Sequence, residues 1–260
     1  MRRPPPRAAS RIPGLLLCLT VAPLAASPLP AQDIADNSFL IEEAYNQEAG
    51  VVQHINAFSL QNGGGGWNYT FTQEWPLGGI TNQLSYSLPL VNPEGGAGAG
   101  IGDIALNYRY QLVAHDASDG VAAVHVAPRA SMILPTGSES EGRGTGELGV
   151  QVNLPVSWVV SSRVVAHGNA GATLVGSTVG YNLGASGIYR LRRSVNLMLE
   201  ALWLDPDGGF YLNPGVRWAY DFAGGLQVVP GVAYTVAIGP DAGPNAFFLY
   251  LSFEHPFRRQ

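Results

Sequence analysis

The side chains able to do chemistry in this chain fall on one parity of an alternating pattern. In Asp103-Ile104-Ala105-Leu106-Asn107-Tyr108-Arg109-Tyr110-Gln111-Leu112 the even positions are large and apolar or aromatic, and the odd ones are polar or Ala. Asp103 and Arg109 therefore share a face. In the next segment Val124, Val126, Pro128, Ala130, Met132 and Leu134 alternate with His125, Ala127, Arg129 and Ser131. Further along, Glu200 and Arg217 take the same kind of position. Asp103, Arg109, His125, Arg129, Glu200 and Arg217 are the candidate functional residues. Lining one enclosed space, they would select solutes by charge or fill that space as ion pairs. A hairpin centred on residue 117 sets Arg109 opposite His125 and Ala105 opposite Arg129. Arg109, His125 and Arg129 then form a cationic cluster, with Asp103 and Glu200 as the acids expected to offset it.

Other chemistries fail on spacing or context. Gly137-Ser138-Glu139-Ser140-Glu141-Gly142-Arg143 imitates a phosphate-binding loop but lacks the Lys and the following Ser or Thr, and its two Glu would repel phosphate. Gly100-Ile101-Gly102-Asp103-Ile104-Ala105 leads into a strand, where a dinucleotide fingerprint would open a helix. The acidic loop 136–147 reads as solvated surface. Of His54, His115, His125, His167 and His255, no two have metal-ligand spacing on one strand. A Ser–His hydrolase on a barrel would need both groups facing lipid at one depth. His125 lies with the polar set, and His167 has no Ser at that spacing on its own strand. The expectation is no enzyme, with no catalytic residue, cofactor or metal site.

The elements that must hold the polar set are strands, because period two over ten residues is the strand signal. From residue 51 onward the segments run 51–60, 66–75, 81–90, 102–113, 121–134, 147–159, 163–175, 181–191, 194–204, 210–221, 225–237 and 246–256. Twelve strands of this length match the roughly 9–11 residues that a tilted strand needs to cross a bilayer. Gly-, Asp-, Ser- and Pro-rich connections, Pro135–Gly146 the longest, alternate with mostly tight links such as Ser161-Ser162, Arg192-Arg193 and Ala223-Gly224. That is the loop asymmetry of an outer-membrane barrel, with both termini on the short-turn, periplasmic side.

A soluble barrel would alternate too, with its apolar face inward. Three features point outward. Trp67, Trp75, Tyr108, Tyr110, Trp158, Tyr189, Trp203, Trp218 and Tyr220 sit on the apolar parity toward strand ends, as interfacial girdles do. The polar parity holds Glu74, Asp103, Arg109, Arg129, Arg190, Glu200, Arg217 and Asp221, which suits a wet or ion-paired lumen. The last strand carries Phe247, Leu249, Leu251, Phe253 and Phe257 on one parity, resembling the signal by which outer-membrane chains are handed to periplasmic chaperones and the barrel-assembly machinery. The fold class is thus all-β: a closed antiparallel up-and-down transmembrane β-barrel of about 12 strands, since an unpaired edge in hydrocarbon leaves every backbone group unsatisfied.

The chain divides in three. Residues 1–31 read as a secretory signal peptide: Arg2, Arg3, Arg7 and Arg11, then the apolar run Leu15–Ala22, then small residues and Pro. Cutting after Ala31 removes the only Cys, Cys18, so the mature chain has no disulfide. It leaves ten Arg against 19 acids, a net charge of −9 that excludes a nucleic-acid partner. Residues 32–50 form a lead-in or a plug, and Asn37–Glu48 suits a short helix capped by Ser38 and stopped by Gly50. Residues 51–260 form the barrel.

Gly102-Asp103-Ile104-Ala105-Leu106 with Tyr108-Arg109-Tyr110, and Ile133-Leu134-Pro135-Thr136-Gly137 with Gly144-Thr145-Gly146, resemble the outer-membrane family labelled for the MetA pathway of phenol degradation. The resemblance covers residues 100–160, and the rest of the chain by architecture. It implies a signal peptide, a barrel in a Gram-negative-type outer membrane, lipid as surroundings, and passage of small, often aromatic solutes. The leading expectation is a passive channel or transporter for small solutes. The alternatives are a non-conducting structural barrel and a lipid-modifying enzyme.

Overall fold

The computed structural model describes residues 38–96, 98–115, 123–206, 208–240 and 242–257; the signal peptide expected over 1–31 lies outside them. The chain folds into twelve antiparallel strands, several of them interrupted. They are β1 (Val51–Gln61), β2 (Trp67–Pro76), β3 (Asn82–Asn92), β4 (Gly100–Ile101, Ile104–Tyr110 and Val113–His115), β5 (Ala123–Val126 and Arg129–Leu134) and β6 (Gly149–Ser161). The second half comprises β7 (Val164–Val175), β8 (Thr178–Arg192), β9 (Val195–Asp205), β10 (Gly209–Trp218 and Tyr220–Asp221), β11 (Gln227–Ile238) and β12 (Ala246–Pro256). Each strand pairs with its sequence neighbours, and β12 pairs with β1 from Val51↔Pro256 to Gln61↔Ala246, closing the barrel. Closure leaves no backbone edge facing lipid.

Cross-strand partners share a face, so the register assigns every side chain. Tyr69, Phe71 and Trp75 on β2, Leu106 and Tyr108 on β4, Val150, Val152 and Leu154 on β6, and Leu249 on β12 point outward. Leu106, Tyr108, Tyr110, Val150, Val152, Trp158, Tyr189, Tyr220, Phe247 and Leu249 are all exposed. The buried set is instead mostly polar, with Gln53, Gln83, Asn107, Ser131, Asn153, Asn169, Asn196, Asn213 and Ser252 turned to the lumen. This inverts the usual burial rule, and only a hydrocarbon exterior makes it stable. All nine aromatics expected in the girdles lie on the outward parity.

Two expectations are corrected. Residues 38–50 contain no helix. They run through the inside of the barrel without regular structure, bending at residues 39–41 and 44, and their backbone amides bond barrel side chains in place of carbonyls four residues back. The loop asymmetry is also weaker than the composition suggests. Two of the connections at the far end from the termini are short: one shrinks to the turn 176–177, and in the other only three residues separate Asp205 from Gly209, because β8 and β10 run on through Gly180 and Gly209. Gly176 supplies the left-handed backbone that the first turn needs (φ 55°). The connection 135–148 does stay long and holds a short 3-10 helix, Glu139–Glu141.

Candidate functional site

The lumen is built around residues 38–48. Glu200, on β9, places one carboxylate oxygen, Oε1, under three successive backbone amides: Phe39 N at 2.9 Å, Leu40 N at 2.7 Å and Ile41 N at 3.0 Å. Its Oε2 accepts Asn213 Nδ2 at 2.6 Å. Asn169 holds the next residue from both sides, accepting Glu42 N at 2.7 Å and donating to Glu42 O at 2.8 Å. Ser157 Oγ accepts Ala44 N, Gln111 Oε1 accepts Asn46 N, and Gln83 Oε1 accepts Gln47 N. A carboxylate collecting three N–H donors is a charge-assisted arrangement stronger than neutral bonds.

Apolar contacts fix the same segment. The Phe39 ring lies 5.4 Å from Phe248 and 5.2 Å from Tyr250. It rests on Gly215 and Gly231, where a Cβ would stand 2.7 Å and 2.5 Å from ring atoms. Ile41 occupies the corresponding space at Gly184. These glycines are a cradle in the barrel wall, and Ala219, Val229 and Ala233 extend its apolar floor.

The six residues expected in the site behave differently from one another. Arg109, 4% exposed, is wrapped by the N-terminal segment. Its Nε donates to Asn46 Oδ1 at 3.0 Å, Nη1 to Glu43 O at 3.1 Å, and Nη2 to Tyr45 O and to Gln83 Oε1. Glu43 and Glu74 carboxylates lie 3.5 and 3.8 Å away. Arg129 is directly opposite Arg109 in the β4–β5 ladder. It donates to Asn107 Oδ1, Ser131 Oγ and Gln151 Oε1, and pairs with Glu42 at 2.6 Å. His125 pairs with Ala114 on one side and Ser157 on the other, and its ring packs at a tilt against Tyr45, with centroids 4.6 Å apart. Glu200 and Arg217 are fully buried on neighbouring strands.

The hairpin centred on residue 117 is therefore corrected: the β4–β5 ladder is centred near residue 119, and each partner moves by four. An even shift leaves every residue on its face, so the inward assignment survives while the cluster of Arg109 with His125 does not form. Asp103 is also not a counter-charge for the arginines. It sits at the loop end of β4 and accepts Gly137 N at 3.0 Å, with Thr145 N and Oγ1 at 2.7 and 2.8 Å, tying down the 135–148 loop. The acids that meet the arginines are Glu42, Glu43 and Glu74. The first two lie in a segment whose position no strand pattern reveals.

Two cavities among the described residues lie beside the segment. One, about 300 Å³, is lined by Phe39, Ile55, Thr70, Thr72, Ser85, Ser87 and Tyr250 among others. The second, about 290 Å³, is lined by Gln151, Asn153, Asn169, Thr173, Tyr181, Asn182 and Leu202 among others. Leu40, Glu42 and Arg129 border both. The histidines make two contacts that spacing along one strand does not show. His54 and His255 stack across the β1–β12 seam on the outer face, with Nε2 atoms 3.2 Å apart. Ser157 Oγ lies 2.7 Å from His167 Nδ1, both groups buried in the lumen. Among the described residues no group of three His, Cys, Asp or Glu is placed to hold a metal ion.

A closed barrel with an apolar outer belt, aromatic ends and a polar, charge-bearing interior belongs to the class of outer-membrane β-barrels. No family model matches the chain, and no curated protein matches it. Among solved structures it is similar to an outer-membrane channel from Pseudomonas putida F1, at TM-score 0.58 and 12% identity, over 82% of this chain and 97% of that one. It is also similar to the KdgM porin in complex with disordered oligogalacturonate, at 0.52 and 10% identity over 79% and 99%, and to the NanC porin, at 0.52 and 6% identity over 79% and 100%. At these identities the likeness is one of fold.

Proposed function

We propose that this barrel is a narrow passive channel for small solutes and that residues 38–50 are its plug. The observation that carries the reading is the seating of residues 39–47 on lumenal side chains of seven different strands, with cavities of about 300 and 290 Å³ left beside them. Those volumes suit small molecules, and their walls mix hydroxyls, amides and ion-paired charges with Phe39, Leu40 and Tyr250. The fold shared with porins supports the reading. The resemblance to the MetA-labelled family adds aromatic compounds as the solute class, and residues 1–31 serve as the leader that delivers the chain to the outer membrane. The lumen-lining candidates then divide in role: Glu200 and Arg109 hold the plug, Arg129 borders the path, and Arg217 is part of the wall.

The same filling favours a second reading, a structural barrel that does not conduct. A lipid-modifying enzyme has less support, because Ser157 and His167 face the lumen and not lipid. Planar-bilayer recording on the refolded chain, alongside a variant lacking residues 38–48, separates the first two. The channel reading expects small or intermittent conductance from the full chain and a larger, steady conductance from the deletion. A deletion variant that inserts as a folded barrel and passes no current would establish the structural one.

A further inference from the structure

Arg129 is the one cation that borders both cavities among the described residues, and its partner comes from the plug. The Glu42 Oε1 atom rests 2.6 Å from Arg129 Nη2 and accepts Asn153 Nδ2 at 3.0 Å. Around that carboxylate the barrel supplies neutral amides and a hydroxyl: Gln151, Asn169, Thr173 and Asn182. Leu40 and Leu202 border the same space. We infer that Arg129 and Asn153 form a binding site for the carboxylate of a small monocarboxylate solute with an apolar body, and that Glu42 occupies the site as an internal stand-in.

The backbone makes the exchange feasible. Asn169 clamps both the N–H and the C=O of Glu42, so the peptide is fixed and the side chain alone must turn away. The pair is reachable as well: the Glu42 and Arg129 side chains are 30% and 17% exposed, against 11% and 5% for Glu43 and Arg109 deeper in the lumen. A partly hydrated ion pair is worth little net free energy, so a free carboxylate can compete for it. Arg129 keeps its three barrel acceptors, Asn107, Ser131 and Gln151, whichever carboxylate is bound. The guanidinium is thus held in place without Glu42, as a site for an exchangeable ligand requires. Because a tethered competitor lowers apparent affinity by the fraction of time it occupies the site, removing its charge should strengthen binding.

This inference rests on the channel reading, and the test separates the two. Titration calorimetry on the full chain refolded in detergent would use benzoate and its uncharged isostere benzamide. Benzoate is expected to bind at least roughly tenfold more tightly than benzamide, with affinity falling as salt rises. Glu42→Gln should raise benzoate affinity about tenfold, and Arg129→Gln should abolish the preference for benzoate. Arg163→Gln, at the 162–163 turn, should change nothing. Equal binding of benzoate and benzamide, or unchanged benzoate affinity in Glu42→Gln, overturns the inference. Should Arg129→Gln fail to refold, Glu42→Ala repeats the decisive arm, since Asn169 holds that backbone irrespective of the side chain. Benzoate binding in this pattern without conductance from the 38–48 deletion would keep the site and remove the channel. Conductance without benzoate binding would do the reverse.

Discussion

Glu200→Ala is the perturbation that best tests how the plug is held. The carboxylate accepts Phe39, Leu40 and Ile41 amides on one oxygen and Asn213 on the other. Hydrogen bonds to a charged acceptor contribute roughly 1.5–3 kcal/mol each in buried settings. The lumen admits water to the freed amides, so about 1–1.5 kcal/mol for each of the three plug bonds is the reasonable figure, or about 3–4.5 kcal/mol in all. That shifts the docked-to-undocked ratio by roughly two to three orders of magnitude. Glu200→Gln keeps one carbonyl acceptor for the plug amides but removes the charge and turns the acceptor facing Asn213 into a donor, so it should shift the ratio by roughly tenfold. The barrel itself should stand, because its ladders do not involve the side chain. Two assays report the plug: single-channel open probability, and cutting at Glu42, Glu43 and Glu48 by a Glu-specific protease. Heat-modified gel migration reports the barrel. Open probability and cutting should rise in the order wild type, Gln, Ala with gel migration unchanged. A plug as protected in Glu200→Ala as in the wild type, or a barrel that melts equally in both variants, would refute the reasoning.

Four further outcomes follow from the same geometry. Leu106→Arg, on the lipid face, should cost about 2–4 kcal/mol in folding into liposomes, whereas Ser87→Arg, which faces a cavity, should cost far less; equal penalties would mean the faces are misassigned. Arg109→Ala should cost about 3–5 kcal/mol by removing the buried arginine that Glu43 and Glu74 both face, read as a lower unfolding midpoint together with raised conductance. Gly231→Val should displace Phe39 from its cradle, since a Cβ there already meets the ring at 2.5 Å; cutting at Glu42 and Glu43 by the Glu-specific protease should rise, and unchanged cutting would contradict the contact. A tag inserted after Ser140 should be labelled on intact cells, and labelling only after permeabilisation would reverse the topology.

The sequence alone determined which residues form strands and which way each side chain faces. Both properties are local: alternation is a two-residue period, and a bilayer outside demands that the apolar parity lie outward. Leu106 and Arg109 could therefore be assigned to lipid and lumen correctly even with their hairpin misplaced by two residues. What stands opposite what was decided only by the tertiary structure. Sliding a strand by an even number of residues leaves the pattern unchanged, so alternation cannot tell Arg109 opposite His125 from Arg109 opposite Arg129. The segment 38–48 lay further beyond reach. Its Ser38, Glu42 and Glu43 are equally suited to a helix start, and its amides bond Glu200 about 160 positions away. Gly184, Gly215 and Gly231 look like ordinary strand glycines until Phe39 and Ile41 occupy the space they leave. The partners of a lumenal charge are chosen by what enters the lumen, and that depends on contacts between segments that no periodicity along the chain connects.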